Sequence, residues 1–332
     1  MATIGIDEIV LAGPRGFCAG VERAIDIVEL ALAVCGPPVY VRKEIVHNRH
    51  VVETLHKQGA VFVDELHEVP DDATVIFSAH GIAPSVRQEA AGRGLRVIDA
   101  TCPLVTKVHL EAIRYAREGY TIVLIGHADH DEVIGTLGEA PERIAVVANA
   151  AQAETLDVPD PDRVAYLTQT TLSVDDTREV IEALRRRFPK IVGPSRDDIC
   201  YATQNRQAAV KTVAGDVDVL LVIGAANSSN ANRLVEVSRM AGTRAHLIND
   251  VRDIKPEWLE GAARVGVTAG ASTPEMLVTE TVEALRSRGE VKVREVRVVE
   301  EDVRFALPQE LERLAKDRGM ALPARIAMRQ SI

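Results

Sequence analysis

Short apolar runs alternate along this chain with longer stretches in which apolar residues recur every three to four positions. The runs Val39-Tyr40-Val41, Ala60-Val61-Phe62-Val63, Val75-Ile76-Phe77, Thr121 to Ile125, Ile144 to Val147, Val164 to Thr168, Val217 to Ile223 and Val265-Gly266-Val267-Thr268 predict strands. Helical periodicity runs from Cys18 to about Val34, from Cys102 to about Glu118 and from Cys200 to about Val213. Gly36-Pro37-Pro38 and Gly119 stop the first two. Strands that alternate with helices predict parallel sheets, whose strands are buried on both faces.

The pattern repeats three times. Each block opens at a cysteine, passes through a helix and a strand, and reaches a polar cluster: Val46-His47-Asn48, Gly126 to Glu132, and Gly224 to Asn230. A second helix and short strand follow, then a further strand that stops at small polar residues: Ser78-Ala79-His80-Gly81, Thr168-Gln169-Thr170-Thr171, and Thr268 to Ser272. Pro84, Asp175-Asp176 and Pro274-Glu275 each open another helix. Such a period predicts three pseudo-equivalent small α/β domains with parallel sheets around a shared centre. The expected blocks are 18–102, 103–197 and 198–290, the third completed by the N-terminal segment 1–17 and its strand Glu8 to Ala12. Residues 291–332 read as a C-terminal packing tail with a charged helix. In open α/β sheets ligands gather where strands end and helices begin, and every polar cluster falls at such a junction.

Composition narrows this picture. The 332 residues exceed the usual size of one core, and with only 3% aromatics the core must be built from Val, Ile, Leu and Ala. A net charge of −10 argues against a nucleic-acid partner. Met1 to Ile9 lacks the basic start of a signal peptide, and the apolar run Val217 to Ala226 is too short for a bilayer. Four scattered cysteines do not resemble a secreted disulfide framework. The expectation is a cytoplasmic protein with no membrane partner.

Cys18, Cys102 and Cys200 occupy equivalent repeat positions, 84 and 98 residues apart (102 − 18 and 200 − 102). Three equivalent thiols predict a shared metal role, for which zinc and iron–sulfur clusters are both suitable. Cys35 has no equivalent and reads as a structural or surface thiol. His47, His80, Ser228, Ser229, Asn230 and Ser272 are short donors beside helix starts. Individually the Ser and Asn residues suit helix caps; gathered at corresponding junctions, the set suits a phosphate or diphosphate. His127, His130 and Glu132 form the richest local cluster, read as a loop. In a closed apolar site Glu132 would keep its proton and act as a general acid; exposed, it would be a loop carboxylate or a cap. Thr170 would either orient a proton or cap the next helix. His50, His56, His67, His109 and His246 belong to no repeated cluster and read as structural or surface residues.

Several motifs carry a resemblance: Gly16-Phe17-Cys18-Ala19-Gly20-Val21, Val46-His47-Asn48, Ser78-Ala79-His80-Gly81 and Asp99-Ala100-Thr101-Cys102-Pro103. Thr168-Gln169-Thr170-Thr171-Leu172-Ser173, Asp198-Ile199-Cys200-Tyr201-Ala202-Thr203, Asn227-Ser228-Ser229-Asn230 and Thr268-Ala269-Gly270-Ala271-Ser272 extend it. From about Ile9 to Pro308 the chain resembles the LytB (IspH) family of 4-hydroxy-3-methylbut-2-enyl diphosphate reductases. The resemblance implies reductive dehydration of an allylic alcohol diphosphate to isopentenyl and dimethylallyl diphosphates, the last step of the methylerythritol phosphate route. It implies one 4Fe–4S cluster held by Cys18, Cys102 and Cys200 at the centre of the three domains, leaving one iron open. His47, His80, His130, Ser228, Ser229, Asn230 and Ser272 match diphosphate or substrate-pocket positions. Glu132 matches the proton donor and Thr170 its neighbour at the substrate hydroxyl. A ferredoxin or flavodoxin is the implied electron donor.

One local departure stands out. The family commonly has His-Pro-Glu where this chain has His130-Asp131-Glu132, and Lys43 stands where a His is common. Two other functions fit the residues alone: a non-redox iron–sulfur hydratase that needs Glu132 but no reductant, and an iron–sulfur sensor of a phosphate ligand that needs no acid.

Overall fold

The computed structural model describes residues 5–287 and 289–320. Parts of the expected segments 1–17, 198–290 and 291–332, namely residues 1–4, 288 and 321–332, lie outside the described residues. In chain order the elements are β1 (Glu8–Gly13), α1 (Ala19–Cys35), β2 (Val39–Arg42), α2 (Arg49–Lys57), β3 (Ala60–Val63) and β4 (Thr74–Phe77). Then come α3 (Pro84–Gly92), β5 (Arg96–Asp99), α4 (Pro103–Arg117), β6 (Thr121–Ile125), α5 (Asp131–Leu137) and β7 (Ile144–Val147). The run continues through α6 (Ala150–Thr155), β8 (Val164–Thr168), α7 (Val174–Arg187), α8 (Tyr201–Ala214), β9 (Val219–Ile223), α9 (Ser229–Met240) and β10 (Arg244–Ile248). β11 (Arg264–Ala269), α10 (Glu275–Arg286), β12 (Lys292–Arg297) and α11 (Gln309–Asp317) complete it.

The strands form three sheets in which every pair is parallel, in the orders β3-β2-β4-β5, β7-β6-β8 and β10-β9-β11-β1-β12. In each, the first strand of the repeat (β2, β6 or β9) has the second on one side and the third on the other. The strand order therefore reverses between the first and third strands, where an open α/β sheet forms its ligand crevice. The carboxyl ends that meet there are Arg42 beside Phe77, Ile125 beside Thr168 and Ile223 beside Ala269. The polar clusters of the sequence begin at these ends or within four residues of them.

Two-residue periodicity explains how helices cover both faces. Val123 and Ile125 of β6 pack with Val180 and Leu184 of α7, while Ile122 and Leu124 pack with Val108 and Ala112 of α4. β9 divides in the same way: Val219, Leu221 and Ile223 meet Leu277 and Val278 of α10, and Leu220 and Val222 meet Val210 and Leu234. Each Val, Leu or Ile among them contributes roughly 1.5–3 kcal/mol on full burial. Helix starts follow from local chemistry. Pro84 and Pro103 take the first turns of α3 and α4, and Ser173 accepts from the Asp176 N–H to cap α7.

The chain divides into two compact units. One comprises the chain up to Cys18, the segment His47–His50 and Cys200–Val303; it holds the five-stranded sheet. The other comprises Ala19–Val46, Val51–Ile199 and the chain from Arg304, and holds the two smaller sheets. β1 lies beside β11, in the sheet of the third repeat. The segment read as a packing tail does more than pack: β12 adds an edge strand to β1. Its alternation Lys-Val-Arg-Glu-Val-Arg is charged and largely exposed, which suits an edge and hides the strand from an apolar-run search. Further on, α11 packs against α1 through a face that buries Leu311 and Ala315.

Candidate active site

In the unit with the two smaller sheets, the β6/β8 crevice holds the acid. β6 runs into Gly126, where a side chain would collide with Val133 at 2.7 Å, so the chain can turn tightly towards His130. His130 caps α5: its Nδ1 accepts the Glu132 N–H at 3.2 Å. An accepting Nδ1 leaves the proton of the neutral ring on Nε2. The cluster read as a loop is thus the start of a helix, because the His130 ring performs the capping usually left to Ser or Asp. Asp131 occupies the first helical position. That position accepts Pro for its fixed φ or an acid for its charge, so the departure from His-Pro-Glu leaves the helix start intact.

Glu132 is 3% exposed. The Thr170 N–H donates to its Oε1 at 2.7 Å and the Thr170 hydroxyl to its Oε2 at 2.9 Å. Burial pushes the carboxyl up to about 7 and the charge of Asp198 adds to the rise, against the lowering effect of the two Thr170 bonds. An exposed loop carboxylate is therefore ruled out. Nor does Thr170 cap α7, since Ser173 does. His80 follows β4 in the same unit, its Nδ1 3.3 Å from the Ser78 hydroxyl and its ring edge-on to His130 at 6.0 Å. Cys102 stands at the N-terminal end of α4 with its N–H on the Ala79 carbonyl, and so is tied to the loop that carries His80. The Arg23 guanidinium binds the two carbonyls before Cys102; burial lowers its pKa, while the charges of Cys102 and Asp99 oppose that fall.

In the unit with the five-stranded sheet, the β9/β11 crevice holds the remaining donors. Ser228 caps α9 by accepting from the Ala231 N–H at 3.4 Å. Asn230 spans two elements: its Oδ1 accepts the Ala271 N–H at 2.8 Å and its Nδ2 donates to Thr203 at 3.2 Å. Ser228 thus takes the capping role read for an isolated Ser, whereas Asn230 braces neighbouring elements instead of capping a helix. The first turn of α9 carries no acidic side chain, so its backbone N–H groups and dipole present positive potential. Ser229 is half-buried in that turn. Ser272 donates to the His47 carbonyl at 2.9 Å, and Asn227 lies 3.3 Å from His47 Nδ1.

Cys200 caps α8, its sulfur 3.4 Å from the Thr203 N–H and 3.2 Å from the Thr203 hydroxyl. The sequence motifs contain Thr203 and Asn227 but give neither a role of its own. The signal for Thr203 was its place three residues after a helix-opening cysteine, where a cap bond forms. Cys18 donates its N–H to Ala271, and Gly16 before it has φ +70° with Thr273 O 3.2 Å from where a Cβ would stand. All four cysteines are half-buried thiols, and Cys35 sits apart at the end of α1.

The LytB protein family profile matches residues 9–286. The chain belongs to the LytB family. Among LytB relatives, the chain is 59% identical over 302 residues to a 4-hydroxy-3-methylbut-2-enyl diphosphate reductase from Acidithiobacillus ferrooxidans, covering 91% of this chain and 96% of the relative. It is 56% identical over 310 residues to the enzyme of the same name from Leifsonia xyli, covering 93% and 92%. The E-1-hydroxy-2-methyl-but-2-enyl-4-diphosphate reductase of Plasmodium falciparum superimposes with a TM-score of 0.91 at 39% identity, over 95% of this chain and 99% of that one. A second solved structure, described as (E)-4-hydroxy-3-methyl-but-2-enyl diphosphate reductase, the terminal enzyme of the non-mevalonate pathway, gives 0.60 at 36% identity over 85% and 100%. The LytB fold, with three parallel sheets, is thus that expected from the sequence. No described helix is long and apolar enough to cross a membrane.

Proposed function

We propose that this chain catalyses the reductive dehydration of (E)-4-hydroxy-3-methylbut-2-enyl diphosphate, in which two electrons and two protons yield isopentenyl or dimethylallyl diphosphate and water. Membership of the LytB family and the names of its relatives support the reaction. The observation that carries the chemistry is the buried Glu132–Thr170 pair.

Three half-buried thiols at equivalent positions, each beside a helix start that favours thiolate, fit an iron–sulfur cluster. We assign one 4Fe–4S cluster to Cys18, Cys102 and Cys200. When bound, such a cluster supplies electrons and, at an iron without a cysteine, Lewis acidity towards a hydroxyl oxygen. Glu132 holds a proton near neutral pH because its pocket excludes water. Its Oε2 and the Thr170 hydroxyl share one hydrogen bond whose direction can reverse, so protonated Glu132 can pass its proton through Thr170 to the departing hydroxyl. For the diphosphate, Ser228, Ser229, Asn230 and the N-terminal turn of α9 supply donors, with His47 and Ser272 beside them. His80 and His130 complete the assigned substrate contacts, His130 through Nε2. The acidic chain excludes no such anion, because the donors are local. The assigned setting is cytoplasmic, with a ferredoxin- or flavodoxin-type electron donor.

Anaerobic turnover with and without a low-potential reductant tests the reaction. Product is expected only with reductant; dehydration or hydration without it would make the chain a hydratase. Cys18→Ser, Cys102→Ser and Cys200→Ser are each expected to lose the cluster's visible absorption, whereas Cys35→Ser keeps it. Equal loss in Cys35→Ser would break the three-thiol assignment.

A further inference from the structure

Three cations bear a cyclic relation to the three cysteines. The helix that follows Cys18 carries Arg23, whose Nη1 donates to Ala100 O at 3.2 Å and Thr101 O at 3.0 Å, the two carbonyls before Cys102. The helix that follows Cys102 carries Lys107. Its ammonium donates to Arg196 O at 2.6 Å, Asp197 O at 3.3 Å and the Asp198 carboxylate at 2.8 Å, all in the loop before Cys200. The helix that follows Cys200 carries Arg206. Its Nη2 donates to Gly16 O at 2.7 Å and Phe17 O at 3.3 Å, the two carbonyls before Cys18. The cations stand five, five and six residues after their own cysteines (23 − 18, 107 − 102, 206 − 200). Each helix therefore reaches the loop of the next cysteine, and the third returns to the first.

These are costly placements. Arg206 is fully buried and satisfied by the two loop carbonyls, by Ala202 O and by Glu301. Arg23 is 8% exposed and also donates to Ala306 O at 2.6 Å. Asp198 has a fully buried side chain, held by Lys107 and by the Thr168 N–H. A buried cation needs a full set of acceptors to offset its lost hydration. Here most of those acceptors are backbone carbonyls of cysteine-bearing loops. A greasy residue would fill the same space without fixing them.

We propose that Arg23, Lys107 and Arg206 are positioning residues for the metal-binding thiols, each fixing the loop that delivers the next cysteine, so that retention and reduction potential of the cluster depend on all three. The inference rests on the assignment of the cluster to Cys18, Cys102 and Cys200. A fixed loop holds its thiolate in place when a metal bond opens, and positive charge near the thiolates stabilises the more negative, reduced state of the cluster.

The full chain, reconstituted anaerobically with iron and sulfide, provides the test through iron release to excess chelator and the midpoint potential. Lys107 is the gentlest site, its side chain 27% exposed. Lys107→Met combined with Asp198→Asn removes the cation without stranding a buried charge. That double variant, which removes one positive and one negative charge together, is expected to release iron about tenfold faster, the scale of lost outer contacts to metal ligands. Lys107→Arg should keep parental release. Arg23→Met and Arg206→Met, which each remove a positive charge alone, should release iron as fast and titrate at a more negative potential, with Arg23→Lys and Arg206→Lys intermediate. Parental release in the double variant would overturn the proposal, as would a parental potential in Arg23→Met or release from Lys107→Arg as fast as from the double variant. The two layers separate cleanly. If the three Cys→Ser variants retain full iron, the ligand assignment fails; if they lose it while the cation variants match the parent, only the positioning role fails.

Discussion

At the scale of single residues, Glu132 decides most. Its pKa of about 7 means that it is protonated below neutrality and loses its proton as pH rises through that value. Turnover limited by this acid should therefore fall above about pH 7. Glu132→Gln is expected to bind the diphosphate but lose turnover by roughly 10²–10⁴-fold, the usual scale for general acid–base groups; steady-state rates with parallel binding measurements check both halves. The same group affects stability with a definite sign. Its folded pKa lies above the ordinary 4.5, so the folded state binds more protons than the unfolded state between about pH 4.5 and 7. Stability should be full below that window and decline across it by about 3 kcal/mol. Urea unfolding of the metal-free protein at pH 5 and 7.5 should show that decline, and Glu132→Gln should remove its share. That Glu132 sits near Thr170 follows from the repeat, since both come at strand ends of one block. Its burial did not follow from the sequence, because Thr170 and Asp198 are brought to it by the fold, not by neighbouring sequence.

Among elements, α5 shows how a motif can vary without loss. The family's Pro is replaced by Asp131 at the first helical position, where the missing N–H of a proline costs nothing and an acidic side chain meets the helix dipole. Asp131→Pro should change stability by less than about 1 kcal/mol and leave the Glu132 pH dependence in place, as thermal melts and pH–rate profiles would register. A large loss would mean that the Asp131 carboxylate has work beyond the helix start. Strand and helix positions in the three blocks were legible because apolar runs and capping residues are local signals. β12 was not, for only two of its six residues are apolar and its partner β1 is almost 300 positions away. The roles of Arg23, Lys107 and Arg206 are not legible in the sequence for a related reason. A charged residue inside a helix reads as a solvated face until the fold brings a distant loop over it.

For the whole molecule, the three-fold repeat of the sequence becomes three sheets with the same order reversal, each ending in chemistry-bearing loops. Burial is uneven across them. All five residues of β9 are buried, as are five of six in β11, whereas none in β12 is. Backbone amides in strands covered on both faces open only with the whole core, while an exposed charged edge opens locally. Hydrogen exchange of the metal-free protein should therefore be slowest in β9 and β11 and fast along β12. The donors of the β9/β11 crevice follow the strands with the highest expected protection: Ser228 and Asn230 open α9 after β9, and Ser272 lies in the turn after β11. A phosphate-binding site on such strands is preorganised, because its donors need not be ordered when the ligand arrives. Fast exchange through β9 would place these donors on a mobile element and remove that argument, while slow exchange in β9 with a fast β12 fits a rigid sheet whose edge strand is dispensable to the site.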